Sequence, residues 1–122
     1  MDEGLRWEDM PIALSGPGTQ IRRQDAGGLA MCLIRLDQGV RTDELFVGLP
    51  DDCCQCAHWG FIVSGTMRVH SAEGSADYHA GEPYYWPPGH NLEAVTDAEY
   101  LEISDVAAYE VLMEHCAKAM AE

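Results

Sequence analysis

Cationic side chains are scarce in this chain. Only 7 Lys and Arg stand against 21 Asp and Glu among 122 residues, for a formal net charge of −14. A surface that acidic repels nucleic-acid phosphates and anionic lipid headgroups, so neither nucleic acid nor membrane is expected as a partner. Long apolar runs are missing too, and nothing approaches the ~20 residues that a membrane-spanning helix needs. The polar opening, Met1 to Met10, lacks the apolar stretch of a secretion signal. The five cysteines are an odd number, so at least one stays unpaired. Cys53, Cys54 and Cys56 also lie too close together to bridge one another readily. These absences predict a reducing, cytoplasmic setting, where clustered Cys and His more often serve metal binding or catalysis than cross-linking.

What is present is ordinary in bulk. Hydrophobic residues make up 47% and charged residues 23%, and 122 residues suffice for one domain over 1–122 with a real core. Short apolar runs recur with glycine or turn residues between them. Met10–Leu14 reads as a short edge strand, Ile21–Gln24 as another, and Leu29–Leu36 as a buried strand bounded by Gly28 and Asp37-Gln-Gly39. Phe46 and Val47 are expected in an extended approach to Leu49-Pro-Asp-Asp52. His58–Ser64, Thr66–His70, Ala76–His79 and Glu99–Ile103 complete the strands, with a Pro- and aromatic-rich corner over Gly81–Gly89. Runs this short, spaced ~8–12 residues apart, indicate a sandwich or barrel. Only the end reads as helical. Ser104 or Asp105 can cap it, and Val106, Tyr109, Met113, Cys116 and Met120 recur at three- and four-residue spacing as a packing stripe.

The segment Asp51-Asp-Cys-Cys-Gln-Cys-Ala-His-Trp-Gly60 gathers two carboxylates, three thiols and an imidazole within ten residues. Thiolate and imidazole together favour Zn²⁺ and compete well for iron, nickel, cobalt or copper. No second Cys/His pair follows at zinc-finger spacing, so a further ligand must come from a distance, and His90 in Pro87-Pro-Gly-His90 is the candidate.

At this point the sequence resembles the cupin superfamily. Gly81-Glu-Pro-Tyr-Tyr-Trp-Pro-Pro-Gly89 fits the frame of the second cupin motif, and His58-Trp-Gly-Phe-Ile-Val-Ser-Gly65 fits the end of the first. The frames span about residues 46–104. Counting back from Gly65, His58 takes the place of the motif's glutamate, Cys54 that of its second histidine and Asp52 that of its first. Leu92 occupies the place of the usual final histidine, and His90 stands two residues earlier with the same strand parity. The chain is also similar to small bacterial cupin-like proteins that share a His-Trp-Gly-aromatic segment and a Pro-Pro-Gly-His corner. The resemblance implies an all-β fold, a cupin-type double-stranded β-helix (jelly-roll barrel) over about 10–104, closed by a C-terminal α-helix over about 105–121. It also implies a homodimer. The metal ligands expected are Cys54, Cys56, His58 and His90, with Asp52 as the alternative to Cys56 and zinc as the foremost metal.

Blander placements are expected elsewhere. Cys32 and Cys116 read as packing residues and Cys53 as non-ligating. His115 reads as solvated, while His70 and His79 lie on strands, facing either the surface or the cavity. Glu93 and Glu102 are candidates for a general base, and Tyr84, Tyr85 and Trp86 for apolar walls around a small molecule. Gly60 is expected to leave space in the cavity. Three functions fit these residues. One is a metalloenzyme of oxygenase, isomerase, cyclase or lyase type acting on a small organic molecule. The others are a non-catalytic module that senses or carries a metal or small ligand, and a barrel stabilised by structural zinc.

Overall fold

The glycines and the short apolar runs divide the chain into strands followed by a helix in the computed structural model, which describes residues 6–121. The strands are β1 (Ile12–Gly16), β2 (Thr19–Ala26), β3 (Leu29–Leu36), β4 (His58–Ser64), β5 (Thr66–Ser71), β6 (Gly74–His79), β7 (Pro83–Trp86), β8 (His90–Ala94) and β9 (Ala98–Asp105). The helix is α1 (Val106–Ala121). One antiparallel sheet runs β1-β2-β3-β9-β4-β7, and a second runs β6-β5-β8. Residues 39–42 extend the smaller sheet along β8. There Gly39 N donates to Ala94 O (2.8 Å), Ala94 N to Val40 O (2.9 Å) and Thr42 N to Leu92 O (3.0 Å). The architecture is the expected jelly-roll barrel with a C-terminal helix.

Period-two alternation decides which residues meet inside. Ala30, Cys32, Ile34 and Leu36 of β3, Ile62 of β4, Met67 and Val69 of β5, and Leu92 and Ala94 of β8 are all buried. One part of the interior is filled by aromatic rings. Tyr84 and Trp86 stack with centroids 3.6 Å apart, and Tyr78 and Tyr100 pack edge-on against both. The Tyr84 hydroxyl crosses the inner face of β4 and donates to Leu101 O at 2.9 Å. This crossing explains Gly60. A β-carbon there would stand 1.8 Å from Leu101 O and 2.6 Å from Tyr84 Oη, so the glycine admits the tyrosine and opens no ligand space.

α1 begins where β9 ends. Asp105 Oδ2 accepts a hydrogen bond from Ala108 N at 3.0 Å, the cap expected of that aspartate. Tyr109, Leu112 and Cys116 are buried against the barrel, while Val111 faces outward.

Three local expectations are corrected. Phe46 is not in an extended approach: its N–H bonds back to Thr42 O at 3.0 Å, curling residues 42–46 into turns that bury the ring. The Gly81–Gly89 corner contains a strand, β7, paired with β4. His115 is not a solvated helix residue, because it packs on Gly48 and its Nε2 is buried without a hydrogen-bond partner.

Candidate metal centre

The site is assembled at the start of two strands and the approach to one of them. Pro87, Pro88 and Gly89 reverse the chain between β7 and β8, and Gly89 at φ +93° adopts a backbone conformation that side chains disfavour. The reversal brings His90 opposite Cys54 in an isolated antiparallel bridge. Cys54 N donates to His90 O at 2.8 Å, and Gly89 N donates to Cys54 O at 2.7 Å. His58, the first residue of β4, pairs with Trp86 and points inward beside them.

Three donor atoms thereby converge. One atom each from Cys54, His58 and His90 lies within 4.8 Å of the other two, and all three residues are buried. Cys54 Sγ is 3.4 Å from His58 Nε2, and the imidazole centroids are 5.2 Å apart. Two ligands of a tetrahedral zinc, with bonds of about 2.3 Å to sulfur and 2.0 Å to nitrogen, sit a comparable distance apart. The second ring nitrogens are held from behind. His90 Nδ1 donates to Pro87 O at 2.6 Å, which leaves Nε2 as the unprotonated nitrogen, buried and without a partner. His58 Nδ1 bonds Ser104 Oγ at 2.7 Å. This is the backing that metal-bound imidazoles require.

Burial sets the electrostatics of the cluster. Burial, reinforced by the neighbouring His90, lowers the His58 pKa to about 3. Burial also lowers that of His90, opposed by its bond to Pro87. Burial drives the Cys54 thiol well above its ordinary range. Glu102 on β9 is 4% exposed, and burial pushes its carboxyl up to about 8. Its Oε1 lies 3.6 Å from His58 Nε2. A divalent ion would favour the thiolate, neutral imidazole and carboxylate forms together. The donors present fit such an ion.

The remaining candidates lie apart from this group. Cys56 is buried, but bends at Cys53 and Cys56 break the alternation that would align it with Cys54. Its sulfur is beside Ser104 and 3.6 Å from Ala57 O, and the thiol is pushed up to about 11 by burial. Asp52 is exposed, and its Oδ1 accepts from Gly48 N. Cys53 accepts from Asn91 Nδ2 at 3.4 Å, outside the cluster. Cys32 and Cys116 are buried packing residues, as expected. His70 bonds Ser75 and Glu93, and His79 bonds Thr66, away from the cluster. Tyr85 faces outward and stacks on Trp59, while Tyr84 and Trp86 fill core, so this run forms no substrate wall.

A cavity of about 390 Å³ adjoins the cluster. His58, His90, Glu102 and Tyr109 line it at the cluster, and α1 roofs it with Leu112, Met113 and Met120. Ser104 and Tyr109 were not anticipated from sequence. A signal existed for Ser104: Tyr100, Glu102 and Ser104 share one face of β9 with alternate spacing, and that face is the buried one.

No family model and no curated protein matches the chain. Solved structures do. An RmlC-like cupin from Shewanella frigidimarina is 15% identical, superposes with a TM-score of 0.62, and is matched over 85% of this chain and 90% of its own. A sugar phosphate isomerase from a cupin superfamily of Silicibacter pomeroyi is 15% identical with a TM-score of 0.59, over 84% and 74%. Salicylate 1,2-dioxygenase from Pseudoaminobacter salicylatoxidans is 17% identical with a TM-score of 0.60, over 80% of this chain and 30% of that longer one. The fold is therefore that of the small cupins. No helix among the described residues is long and apolar enough to cross a membrane.

Proposed function

We propose that this is a single-domain metalloprotein in which Cys54, His58 and His90 hold one divalent transition metal, zinc foremost, for chemistry on a small molecule. The observation that carries the reading is His90 Nε2, a buried nitrogen with a fixed lone pair, no partner, and a thiol and a second imidazole beside it. An unpaired polar atom of this kind costs about 1–3 kcal/mol unless something binds it. Three protein ligands leave a coordination position open, which favours catalysis over a closed structural site. A bound metal supplies Lewis acidity, polarising a carbonyl or acidifying water. Ser104 and Pro87 O orient the two imidazoles, and Glu102 holds a carboxyl at the same corner, positioned to exchange a proton with a bound molecule. Enzymes among the structural neighbours, an isomerase and a dioxygenase, are compatible with this reading.

The test is elemental analysis of the purified protein and its variants. His58→Ala and Cys54→Ser are expected to lose the metal, whereas His115→Ala and Cys56→Ser retain it. Cobalt substitution should show the charge-transfer band of a single thiolate. Equal retention in His58→Ala and His115→Ala removes the assignment, and loss in Cys56→Ser restores the four-ligand site.

Two further features belong to the proposal. The five unpaired cysteines suit a reducing cytoplasm. The outer face of the larger sheet, carrying Trp59, Phe61, Tyr85, Leu101 and Ile103, suits pairing with a second copy. On a chain of net charge −14, an apolar face is where two identical surfaces repel least.

A further inference from the structure

The cavity is chemically lopsided. Beyond the cluster its walls are mostly aliphatic or aromatic, with Leu14, Ile21, Ile34 and Phe46 from the barrel side and Met113 and Met120 from α1. Thr19, Arg41, Thr42 and Glu44 are the polar exceptions. No lysine lines it, and Arg41 is the one arginine that does. That guanidinium is exposed and already paired with Asp43 and Glu93, both at 2.9 Å. Away from the cluster, an anionic phosphate would therefore be stripped of water with no free side-chain cation to meet it, at a cost of several kcal/mol. Polyols fare little better, since most hydroxyls would face carbon. At interior packing density the volume holds on the order of fifteen non-hydrogen atoms.

One polar group at the cluster end lacks a use. Tyr109 is fully buried, and its hydroxyl has no nitrogen or oxygen partner, only the weakly bonding Cys32 thiol beside it. Its ring is 6.3 Å from that of His58 and lines the same cavity. Arg23 stacks over the ring and is itself tied to Asp25 and Glu110, which fixes the tyrosine in place. A rigidly held buried donor with only a thiol beside it is poorly satisfied, a penalty that a ligand oxygen would relieve.

We infer that the cavity under α1 binds a small, predominantly apolar molecule with a single uncharged oxygen-bearing end group, such as a phenol, ketone or alcohol, and that the Tyr109 hydroxyl hydrogen-bonds that oxygen beside His58 and His90. The inference rests on the metal reading only for what the end group meets.

Calorimetric titration of the full chain, zinc-loaded and metal-free, tests it with three probes: 4-propylphenol, 4-propylphenyl phosphate and glucose 6-phosphate. The phenol is expected to bind at least tenfold more tightly than either phosphate. Tyr109→Phe should weaken the phenol about three- to tenfold, the share of one hydrogen bond, without lowering the melting temperature. Ala119→Trp, filling the apolar end, should abolish binding, while Val111→Trp on the outer helix face leaves it intact. No phenol binding at millimolar concentration, a phosphate bound as tightly as the phenol, or unchanged binding in Ala119→Trp overturns the inference. Failure of the metal reading looks different: protein that takes up no zinc yet binds the phenol in a Tyr109-dependent way keeps this inference and loses the other.

Discussion

Among single residues, Glu102 carries the sharpest energetic consequence. It is buried beside His58, and burial raises its pKa from the ordinary 4.5 to about 8. The folded chain thus binds a proton that the unfolded chain has released, so the contribution of Glu102 is full below pH 4.5 and is lost as pH rises toward 8. His58 has the opposite sign. With its pKa lowered to about 3, its contribution is present above pH 6.5 and is lost as pH falls. The difference between metal-stripped wild type and Glu102→Gln isolates the first effect. The variant's relative stability should grow by about 2–4 kcal/mol between pH 5 and pH 8 in urea titrations. A difference that stays flat over that range would show that Glu102 is ionised or paired when folded. The meeting of Cys54, His58 and His90 was legible in the sequence because thiols and an imidazole crowd into Cys54–His58 and a motif frame flagged His90. The displacement of Cys56 was not legible, because two bends in the backbone shift a residue that simple alternation places beside Cys54.

Among the elements, β9 is the most instructive. Its alternation is plain in the sequence, yet the usual rule points it the wrong way. Leu101 and Ile103 lie on the outer face, partly exposed, while Glu102 and Ser104 are buried. A strand with its polar residues turned inward marks an interior that must supply polar partners, since such burial is costly unless the groups are satisfied. β3 and β4 were legible to the residue because glycine or turn residues bound their apolar runs. Residues 37–57 were not, because turn hydrogen bonds such as Phe46 N to Thr42 O leave no periodic trace. β4 also carries a steric prediction. Gly60→Ala places a carbon against the Leu101 carbonyl, which belongs to the β9 backbone and cannot rotate away. A loss of about 3 kcal/mol or more is expected in denaturant titrations, or failure to accumulate soluble protein. Wild-type stability in this variant would mean that Tyr84 does not cross the strand.

For the molecule as a whole, the outer sheet face and the acidic remainder define the expected assembly. Trp59, Phe61 and Tyr85 are 48%, 42% and 50% exposed, large values for neighbouring aromatic residues on one face. Light scattering after gel filtration should give twice the chain mass for wild type. Trp59→Glu combined with Phe61→Lys should give the monomer mass with metal content unchanged, because neither side chain reaches the cluster. A wild-type monomer at micromolar concentration would rule out the pairing.

The parts that hold the donor atoms and the parts that shape the chamber come from different stretches of chain. Cys54, His58, His90 and Ser104 sit on barrel backbone, whereas Tyr109, Leu112, Met113 and Met120 belong to α1. On the proposed reading, substitution in the last sixteen residues of the described chain would retune which molecule fits while leaving Cys54, His58 and His90 in place. Descendants of this protein would be expected to diverge in selectivity long before they diverge in chemistry.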